Sequence, residues 1–308
     1  MIRSAIDIGT NSVLLLVAEK KKKGIIEPIY EEQRLPRLGK GVDAQKIIND
    51  ASTQRVIDVL MEYKEILKDS YPDASQPVVT ATSAVRDALN GDEFIQKIKE
   101  ETGYEIRLLS GKDEAKWTAA GALSMIEQPA NGRGEYLILD IGGGSTEVAH
   151  VRDQYMVDKY SFDMGSVRFT ERFLKHDPPN ENEIETCRAF IKKTFRNRFF
   201  HNNSYFKAVG VAGTVTSVTA MIMDLDEYDP SEMNDVIIER DEIQEVIGKF
   251  EKTTSEKILE SYPKVLKGRA DIFLAGLLIL DGFMERFERK ELTVSTGGIR
   301  HGAILNTK

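Results

Sequence analysis

The sequence predicts an α/β protein made of two similar halves, and three observations support this prediction. Asp7–Ser12 reads D-I-G-T-N-S and Asp140–Ser145 reads D-I-G-G-G-S, so a D-I-G-x-x-S pattern recurs 133 residues later. Each half opens with three strand-like segments, after which helices and strands alternate, as expected for an internal duplication. The length of 308 residues suits two domains of about 150 residues each.

In the first half, short runs rich in β-branched residues predict strands, and apolar residues three and four positions apart predict helices. The predicted strands are 2–8, 12–19, 25–34, 77–81 and 104–108, and the predicted helices are 52–68, 91–101 and 111–126. The loop Asp7–Ser12 follows the first strand. An apolar strand that ends in Asp and turns through Gly presents a carboxylate and backbone N–H groups together, which suits a metal ion beside a phosphate.

The second half repeats this order. Its predicted strands are 135–140, 145–151, 154–162, 206–211 and 291–295, and its predicted helices are 166–174, 181–200, 213–223, 240–250, 253–260, 268–286 and a short final helix. Residues 224–235 are predicted to form a loop. We therefore expect domains at 1–126 and 127–308, with the final helix free to pack back on the first. In open α/β sheets ligands bind beyond the strand ends, so we expect a cleft between the domains.

The composition limits the class of protein. Apolar residues make up 41% and charged residues 30%, and no run approaches the ~20 apolar residues of a membrane span. No signal-peptide pattern is present, so we expect a cytoplasmic protein that binds no membrane. The single cysteine, Cys187, has no partner for an internal disulfide. The net charge of −8 argues against general affinity for nucleic acid.

One basic helix face has two interpretations. Arg188, Lys192 and Arg196 follow each other at intervals of four residues. We favour a solvated face, and the alternative is a track for a long anionic chain.

Two loops of the first half carry candidate chemistry. Residues 81–86 read A-T-S-A-V-R after a predicted strand, so hydroxyls, helix N–H groups and Arg86 as a bidentate donor are available to an anion. Ser110 and Asp113 have the spacing of a capping box. Glu114 is the next residue and points in another direction, which leaves a carboxylate able to act as a general base if this turn faces the ligand.

In the second half, the three glycines Gly142–Gly144 are costly in chain entropy and make sense where a ligand approaches the backbone. Asp140 and Glu147 flank the turn, and both could reach one hard cation; the alternative is a tight hairpin with exposed acids. Two later glycine loops, 210–217 with Thr214 and 295–300 with Arg300, suit a phosphate or nucleotide. His301 is the histidine we place nearest to a ligand.

Eight motifs in order resemble the exopolyphosphatase/guanosine-pentaphosphate phosphohydrolase family, of the actin, sugar-kinase and heat-shock-chaperone ATPase superfamily. They are DIGTNS, ATSAVRDA, SGKDEA, LDIGGGSTE, MGSVRFTERF, GVAGTVTS, GRADIFLAGLLIL and STGGIRHGAIL. The resemblance covers nearly the whole chain. It implies two similar ribonuclease-H-like (actin-like ATPase) domains.

The resemblance also implies roles for single residues. Glu114 matches the base that activates water, and Asp140 and Glu147 match the residues that arrange magnesium (or another divalent cation) and the water. Asp7 would add a metal ligand from the other domain, and Arg86 would assist catalysis. The residues expected to hold phosphoryl oxygens are Thr10, Asn11, Ser12, Arg86, Gly143, Gly144, Ser145, Thr214 and Arg300.

The expected activity is magnesium-assisted release of the terminal phosphate of inorganic polyphosphate, of guanosine pentaphosphate, or of both. The alternatives are an ATP-dependent small-molecule kinase and a nucleotide-gated binding protein of the same superfamily. Asp113 departs from the family, where a second Glu is common. Long members carry additional C-terminal domains, so the sequence leaves processive binding of long polyphosphate open. The sequence leaves a homodimer open.

Overall fold

The computed structural model describes residues 1–21, 25–129, 133–196 and 206–307. The chain divides into two compact units, Met1–Met125 with Gly297–Lys308, and Ile126–Thr296. Within the described part of the chain, no helix has both the length and the apolar character needed to cross a membrane.

The first unit is built on a five-stranded sheet in the order β3-β2-β1-β4-β5. β1 and β2 are antiparallel, as are β2 and β3, whereas β1, β4 and β5 run parallel. The strands are β1 Ile2–Ile8, β2 Val13–Lys20, β3 Ile26–Arg34, β4 Val78–Ala81 and β5 Ile106–Leu108. The helices are α1 Val42–Gln45, α2 Asp50–Ser70, α3 Ser83–Asp87, α4 Gly91–Thr102, α5 Gly111–Met125 and, at the end of the chain, α13 Ile299–Asn306.

The second unit is built on a six-stranded sheet in the order β10-β11-β9-β6-β7-β8. Its strands are β6 Glu135–Ile141, β7 Thr146–Arg152, β8 Tyr155–Phe162, β9 Lys207–Val211, β10 Ile237–Glu239 and β11 Glu291–Val294. Its helices are α6 Ser166–Phe173, α7 Glu181–Arg196, α8 Ala212–Ile222, α9 Pro230–Met233, α10 Arg240–Phe250, α11 Ser255–Ser261 and α12 Ala270–Arg286.

The two sheets share one plan, which supports the predicted duplication. In each, three antiparallel strands come first, and the first of them is then extended by two parallel strands. Thus β1, β2, β3, β4 and β5 correspond to β6, β7, β8, β9 and β11. Only the second sheet adds an antiparallel edge strand, β10, beside β11.

Apolar patterning explains where the helices lie. α12 carries the run F-L-A-G-L-L-I-L and is buried from Ile272 to Asp281, as expected of a helix that is apolar on nearly every face. α2 is amphipathic instead. Asn49 caps its N-terminus, because the side-chain oxygen of Asn49 accepts a hydrogen bond of 2.8 Å from the N–H of Ser52. The apolar face of α2 packs on the first sheet.

The predicted elements agree with the structure to within about two residues, apart from short ones. The pattern analysis missed α1, α3, α9 and β10, which have three to five residues each. α9 lies inside the predicted loop 224–235. Helix 181–200 is observed as far as Arg196, and residues 197–200 lie outside the described part of the chain.

The final helix belongs to the first unit, which agrees with the expectation that it could pack back on the first domain. Lys20 on β2 holds it there, because its Nζ donates hydrogen bonds of 2.9 to 3.1 Å to the carbonyl oxygens of Ile304, Leu305 and Thr307. A cation at the C-terminal end of a helix also offsets the helix dipole.

Candidate active site

Three loops of the first unit meet at one edge of its sheet. β1, β4 and β5 are parallel neighbours, with Asp7 opposite Thr80 and Ala81 opposite Leu108. Their carboxyl ends therefore point the same way, and the loops that follow them lie side by side. These are the loops with Asp7–Ser12, with Thr82–Arg86 and with Ser110–Glu114.

In the first loop, the backbone carbonyl groups of Thr10 and Asn11 point toward residues 37–39. The carbonyl oxygen of Thr10 accepts a hydrogen bond of 2.7 Å from the N–H of Gly39, and that of Asn11 accepts one of 3.0 Å from the N–H of Arg37. In a trans peptide the N–H points opposite to the C=O. The N–H groups of Asn11 and Ser12 therefore point away from residues 37–39, which is the arrangement of an anion-binding nest.

Side chains of the neighbouring strand hold this loop. Asp7 is buried, and its Oδ1 accepts a hydrogen bond of 2.8 Å from Oγ1 of Thr80. The hydroxyls of Thr10 and Ser83 lie 3.0 Å apart and form a buried hydrogen bond. Two predicted site residues, Asp7 and Thr10, are thus fixed by hydroxyl groups of β4 and of the helix that follows it.

Arg86 and Glu114 form an ion pair. Nη1 of Arg86 lies 3.0 Å from Oε2 of Glu114 and 2.9 Å from the carbonyl oxygen of Leu109. Glu114 is only 5% exposed, in the first turn of α5. A buried carboxylate needs such a charged donor, because an isolated charge is costly to bury. The structure therefore brings these two predicted residues together and fixes the orientation of the Glu114 carboxylate.

The predicted capping box explains why Glu114 is available. Oγ of Ser110 donates a hydrogen bond of 2.7 Å to Asp113, and the N–H of Asp113 donates one of 3.2 Å back to that hydroxyl. Asp113 is therefore occupied with the helix start, and it is exposed. The adjacent carboxylates therefore have different partners, Ser110 for Asp113 and Arg86 for Glu114.

The second unit repeats the strand-edge arrangement with β6, β9 and β11. Asp140 lies opposite Val211, and Val294 lies opposite Gly210, all on parallel strands. The loops with Gly142–Ser145, with Thr214 and with Ser295–Gly298 therefore follow at the same edge of this sheet.

The three-glycine loop rests against the start of α6. The carbonyl oxygens of Gly142 and Gly143 each accept a hydrogen bond of 3.0 Å, from the N–H of Ser166 and the N–H of Arg168 respectively. The carbonyl oxygen of Gly144 accepts one from Nε of Arg168. The N–H groups of Gly143, Gly144 and Ser145 consequently point the opposite way. Three successive N–H groups that point away from the start of α6 have the arrangement of an anion nest.

Asp140 and Glu147 are direct cross-strand partners on β6 and β7. Both are buried, at 7% and 2% exposure, which excludes the alternative of a hairpin with exposed acids. Oε1 of Glu147 accepts a hydrogen bond of 2.6 Å from Oγ of Ser161 on β8. Like charges directly opposite each other destabilise a sheet, so a cation at this pair would be stabilising.

This donor set fits magnesium. Within the described ranges, no three His, Cys, Asp or Glu side chains are grouped to hold a metal ion. Mg²⁺ does not need such a cage, because it usually keeps several waters and binds one or two carboxylates together with substrate phosphates. A pair of carboxylates beside an anion nest meets that requirement.

The loop after β9 is under backbone strain. Ala212 has a φ of 68°, in the left-handed region that a residue with a Cβ rarely adopts. Strain of this kind is found mostly at functional sites. Thr214 follows in the first turn of α8 and is buried. Arg269 contacts this turn, with Nη1 3.0 Å from the carbonyl oxygen of Gly213, and burial lowers its pKa.

Two predictions for the last glycine loop need correction. Arg300, a predicted phosphate ligand, donates instead to the carbonyl oxygen of Leu15 at 2.7 Å and to Oε2 of Glu31 at 2.9 Å. Its guanidinium therefore fastens α13 to β2 and β3. His301 is fully buried, and burial with the charge of Arg300 lowers its pKa to about 3. A neutral ring inside the first unit is not placed to meet a ligand.

The basic helix face also has a structural role. Nη1 of Arg188 lies 3.0 Å from Asp281, Nη2 of Arg188 lies 3.0 Å from Glu251, and Nζ of Lys192 pairs with Glu285 at 2.6 Å. These ion pairs join α7 to α12 and to the end of α10. Arg188 and Lys192 therefore have carboxylate partners within the second unit, which supports the interpretation as a solvated helix face.

Sequence analysis missed two glycines that support the loops. A Cβ on Gly39 would lie 2.1 Å from Cγ2 of Thr10, and a Cβ on Gly165 would lie 2.5 Å from the carbonyl carbon of Gly143. Each follows the third strand of its unit and backs the D-I-G-x-x-S loop. The signal available was a glycine at the same place in both halves, in L-G-K-G and M-G-S-V.

A duplicated α/β fold with glycine-rich nests at the carboxyl ends of parallel strands defines a class of phosphate-binding proteins. The comparisons identify the particular family. A model of the Ppx/GppA phosphatase family matches residues 16–308, so the chain belongs to this family of phosphatases, which are hydrolases.

Relatives of known description support this assignment. The chain is 30% identical to the bifunctional 3-dehydroquinate synthase/phosphatase of Fusobacterium nucleatum over 99% of its length, but it spans only 46% of that longer protein. It is 29% identical to Exopolyphosphatase 2 of Mycobacterium tuberculosis, with 98% of this chain and 97% of the relative covered.

Solved structures give the same result. The Ppx/GppA family member of Aquifex aeolicus has a TM-score of 0.81 at 28% identity, with 99% of this chain and 96% of that one covered. A crystal structure described as an exopolyphosphatase-like protein has a TM-score of 0.91 at 27% identity, with 99% and 98% covered. The predicted family and fold class are confirmed.

Proposed function

We propose that this protein releases the terminal phosphate of inorganic polyphosphate by attack of a water molecule that Glu114 activates. The observation that carries the proposal is the buried Glu114 carboxylate, held by Arg86 at 3.0 Å beside the loops that end β1 and β4. The exopolyphosphatase relative, which this chain matches over 97% of its length, supports polyphosphate as the substrate.

Glu114 has the attributes of a general base. Its orientation is fixed by Arg86, and its position in the first turn of α5 leaves the adjacent Asp113 to cap the helix. In phosphoryl transfer to water there is little covalent work for the protein, so positioning the water and neutralising charge account for most of the rate. Arg86 contributes to both, because it orients the base and brings a positive charge close to the phosphoryl group.

The nests would hold the phosphate chain. In the first unit these are the N–H groups of Asn11 and Ser12 with the hydroxyl of Thr10, and in the second the N–H groups of Gly143, Gly144 and Ser145. Thr214 adds a hydroxyl near the strained turn after β9. We propose that the nest of each unit binds phosphoryl oxygens.

Magnesium would be held by Asp140 and Glu147, with Asp7 as the proposed ligand of the first unit. When bound, such an ion neutralises phosphate charge and lowers the pKa of a coordinated water. The opposed carboxylates of β6 and β7 support this assignment, since they lie directly across from each other. Another divalent cation with oxygen preference would fit the same pair.

Guanosine pentaphosphate is the second candidate substrate, and the description of the matching family supports it. Both substrates end in a phosphoryl anhydride, so the same base and nests would serve either. The kinase and the nucleotide-gated binding protein are not favoured, because the family and its relatives are phosphatases. The homodimer and the cytoplasmic location stay predictions.

Replacement of Glu114 by Gln tests the proposal. Glu114→Gln keeps the shape and the contact with Arg86 but removes the base, so the rate of phosphate release should fall by about 10² to 10⁴-fold. Phosphate release would be measured on long polyphosphate, tripolyphosphate, guanosine pentaphosphate and ATP, with and without magnesium. Asp113→Asn is the matched control, because its carboxylate is exposed and engaged in the cap, and it should retain most activity.

The outcomes separate the candidates. Unchanged phosphate release in Glu114→Gln would show that Glu114 is not the base. Turnover of guanosine pentaphosphate alone would reject polyphosphate as the substrate. Turnover of ATP only when a sugar is present would favour the kinase.

A further inference from the structure

Ser161 lies in a row of polar residues that crosses three strands of the second sheet. Asp140 on β6 is opposite Glu147 on β7, and Glu147 is opposite Ser161 on β8. Directly opposite residues of neighbouring strands point to the same face of a sheet, so the three side chains share one face. Oγ of Ser161 donates to Oε1 of Glu147 at 2.6 Å, the usual length of a hydrogen bond from a hydroxyl to a carboxylate.

The duplication provides an internal control for this row. In the first unit the equivalent of Asp140 is Asp7, whose partner on β2 is Leu14. Leu14 in turn is opposite Gln33 on β3. The first sheet therefore forms with a leucine where the second has Glu147, and with a glutamine where the second has Ser161. The fold does not require the carboxylate–hydroxyl pair, so its presence in one unit alone needs a functional reason.

Glu147 and Ser161 differ in how far their side chains are exposed to solvent. Glu147 is 2% exposed, whereas Ser161 lies on the exposed part of β8. A serine on an exposed edge strand has water available and gains little stability from a hydrogen bond to a neighbour. The bond matters more to Glu147, because a hydroxyl that donates to one carboxylate oxygen restricts the rotation of that buried carboxylate.

We propose that Ser161 is a positioning residue for the metal-binding carboxylate of Glu147. It orients the Glu147 carboxylate toward the cation that Glu147 would share with Asp140. Groups that hydrogen-bond a metal ligand typically contribute about 10 to 100-fold to metal affinity or activity. This inference rests on the proposed function in one respect, namely that the cation takes part in phosphate release. The affinity for the cation can be measured without turnover.

Ser161→Ala removes the hydroxyl and leaves the strand intact. We expect the Mg²⁺ dissociation constant of the free protein, measured by calorimetric titration, to rise by about 10-fold or more. In phosphate release from tripolyphosphate, the half-saturating Mg²⁺ concentration should rise by a similar factor, while KM for the substrate at saturating Mg²⁺ should change less than about 2-fold.

Three variants complete the design. Ser161→Thr keeps a hydroxyl and suits a strand, so it should restore Mg²⁺ affinity. Gln33→Ala, at the matching position of the first sheet, should leave Mg²⁺ affinity and turnover unchanged. Glu147→Gln should lose Mg²⁺ affinity at least as strongly as Ser161→Ala. Melting temperatures of all variants check that the fold is retained.

The outcomes distinguish failure of this inference from failure of the proposed function. Equal Mg²⁺ affinity in the wild type and in Ser161→Ala would overturn the role of Ser161, even if phosphate release is confirmed. A wild type that binds no Mg²⁺ would overturn it too. A wild type that binds Mg²⁺ but hydrolyses none of the phosphate substrates would reject the proposed function, and weaker binding in Ser161→Ala would still support Ser161.

Discussion

The buried histidine of the final helix should make the first unit sensitive to acid. His301 is fully buried, and its Nδ1 accepts a hydrogen bond of 3.3 Å from the N–H of Gly298. Burial, with a further contribution from the charge of Arg300, lowers its pKa from 6.5 to about 3. The substitution His301→Asn offers an oxygen near the position of Nδ1 but has no group that takes up a proton in this range.

The size of the effect follows from the pKa values of the two states. In the unfolded chain His301 takes up a proton as the pH falls through 6.5, whereas the folded protein leaves it neutral until about pH 3. Between these values the unfolded state binds more protons, so the stability present above pH 6.5 is progressively lost on acidification. At pH 5.5 the unfolded histidine is about nine-tenths protonated, which corresponds to a loss of about 1.4 kcal/mol.

Urea unfolding at pH 7.5 and pH 5.5 measures this loss. Trp117, the only tryptophan of the chain, lies buried on α5 in the same unit and reports its unfolding by fluorescence. The free energy of unfolding should fall by about 1.4 kcal/mol more in the wild type than in His301→Asn. His176→Asn is the control for removal of a histidine, because the ring of His176 is largely exposed. This variant still contains His301, so its free energy of unfolding should fall between pH 7.5 and pH 5.5 as in the wild type. An equal loss in the wild type and in His301→Asn would refute the reasoning.

Two further predictions concern the support of a loop and of a core helix. Gly39→Ala should lower the free energy of unfolding by about 1 to 3 kcal/mol and reduce phosphate release, because its Cβ would meet Thr10 at 2.1 Å. Gly248→Ala, with no atom within 4 Å of its Cβ, is the control and should retain full activity, and wild-type behaviour of Gly39→Ala would contradict the prediction. Asp281→Ala removes the buried acceptor of Arg188 and Arg240, at 3.0 and 2.8 Å, so urea unfolding should show a loss of about 2 kcal/mol, with activity retained. A loss below about 0.5 kcal/mol would mean that the half-exposed arginines are fully satisfied by water.

Short elements escaped the pattern analysis for a physical reason. α1, α3 and α9 have four or five residues, too few to show an apolar period of 3.6, and β10 has three. α3 is the consequential one, because it carries Ser83 and Arg86 into the site. The sequence indicated a helix start within A-T-S-A-V-R, but the segment is too short for its apolar pattern to give the bounds of that helix.

The contacts of some predicted site residues could be anticipated from the sequence, and those of others could not. Glu114 could be separated from Asp113 because the capping box is a local pattern that spans four residues. Arg300 was misplaced because a glycine-rich loop after a strand suggests an anion, whereas its actual partner, Glu31, lies 269 residues away along the chain. Local sequence carries no information about such a partner.

The sequence by itself determined the duplication, the order of the long elements and the chemical types at the strand ends, because these depend on periodicity and on short motifs. Tertiary structure alone decided which groups touch: Arg86 with Glu114, Thr80 with Asp7, and Ser161 with Glu147. It also decided that the chain end packs with the first unit. The physical reason is that each of these contacts joins residues from different strands or helices, so no short sequence segment contains both partners.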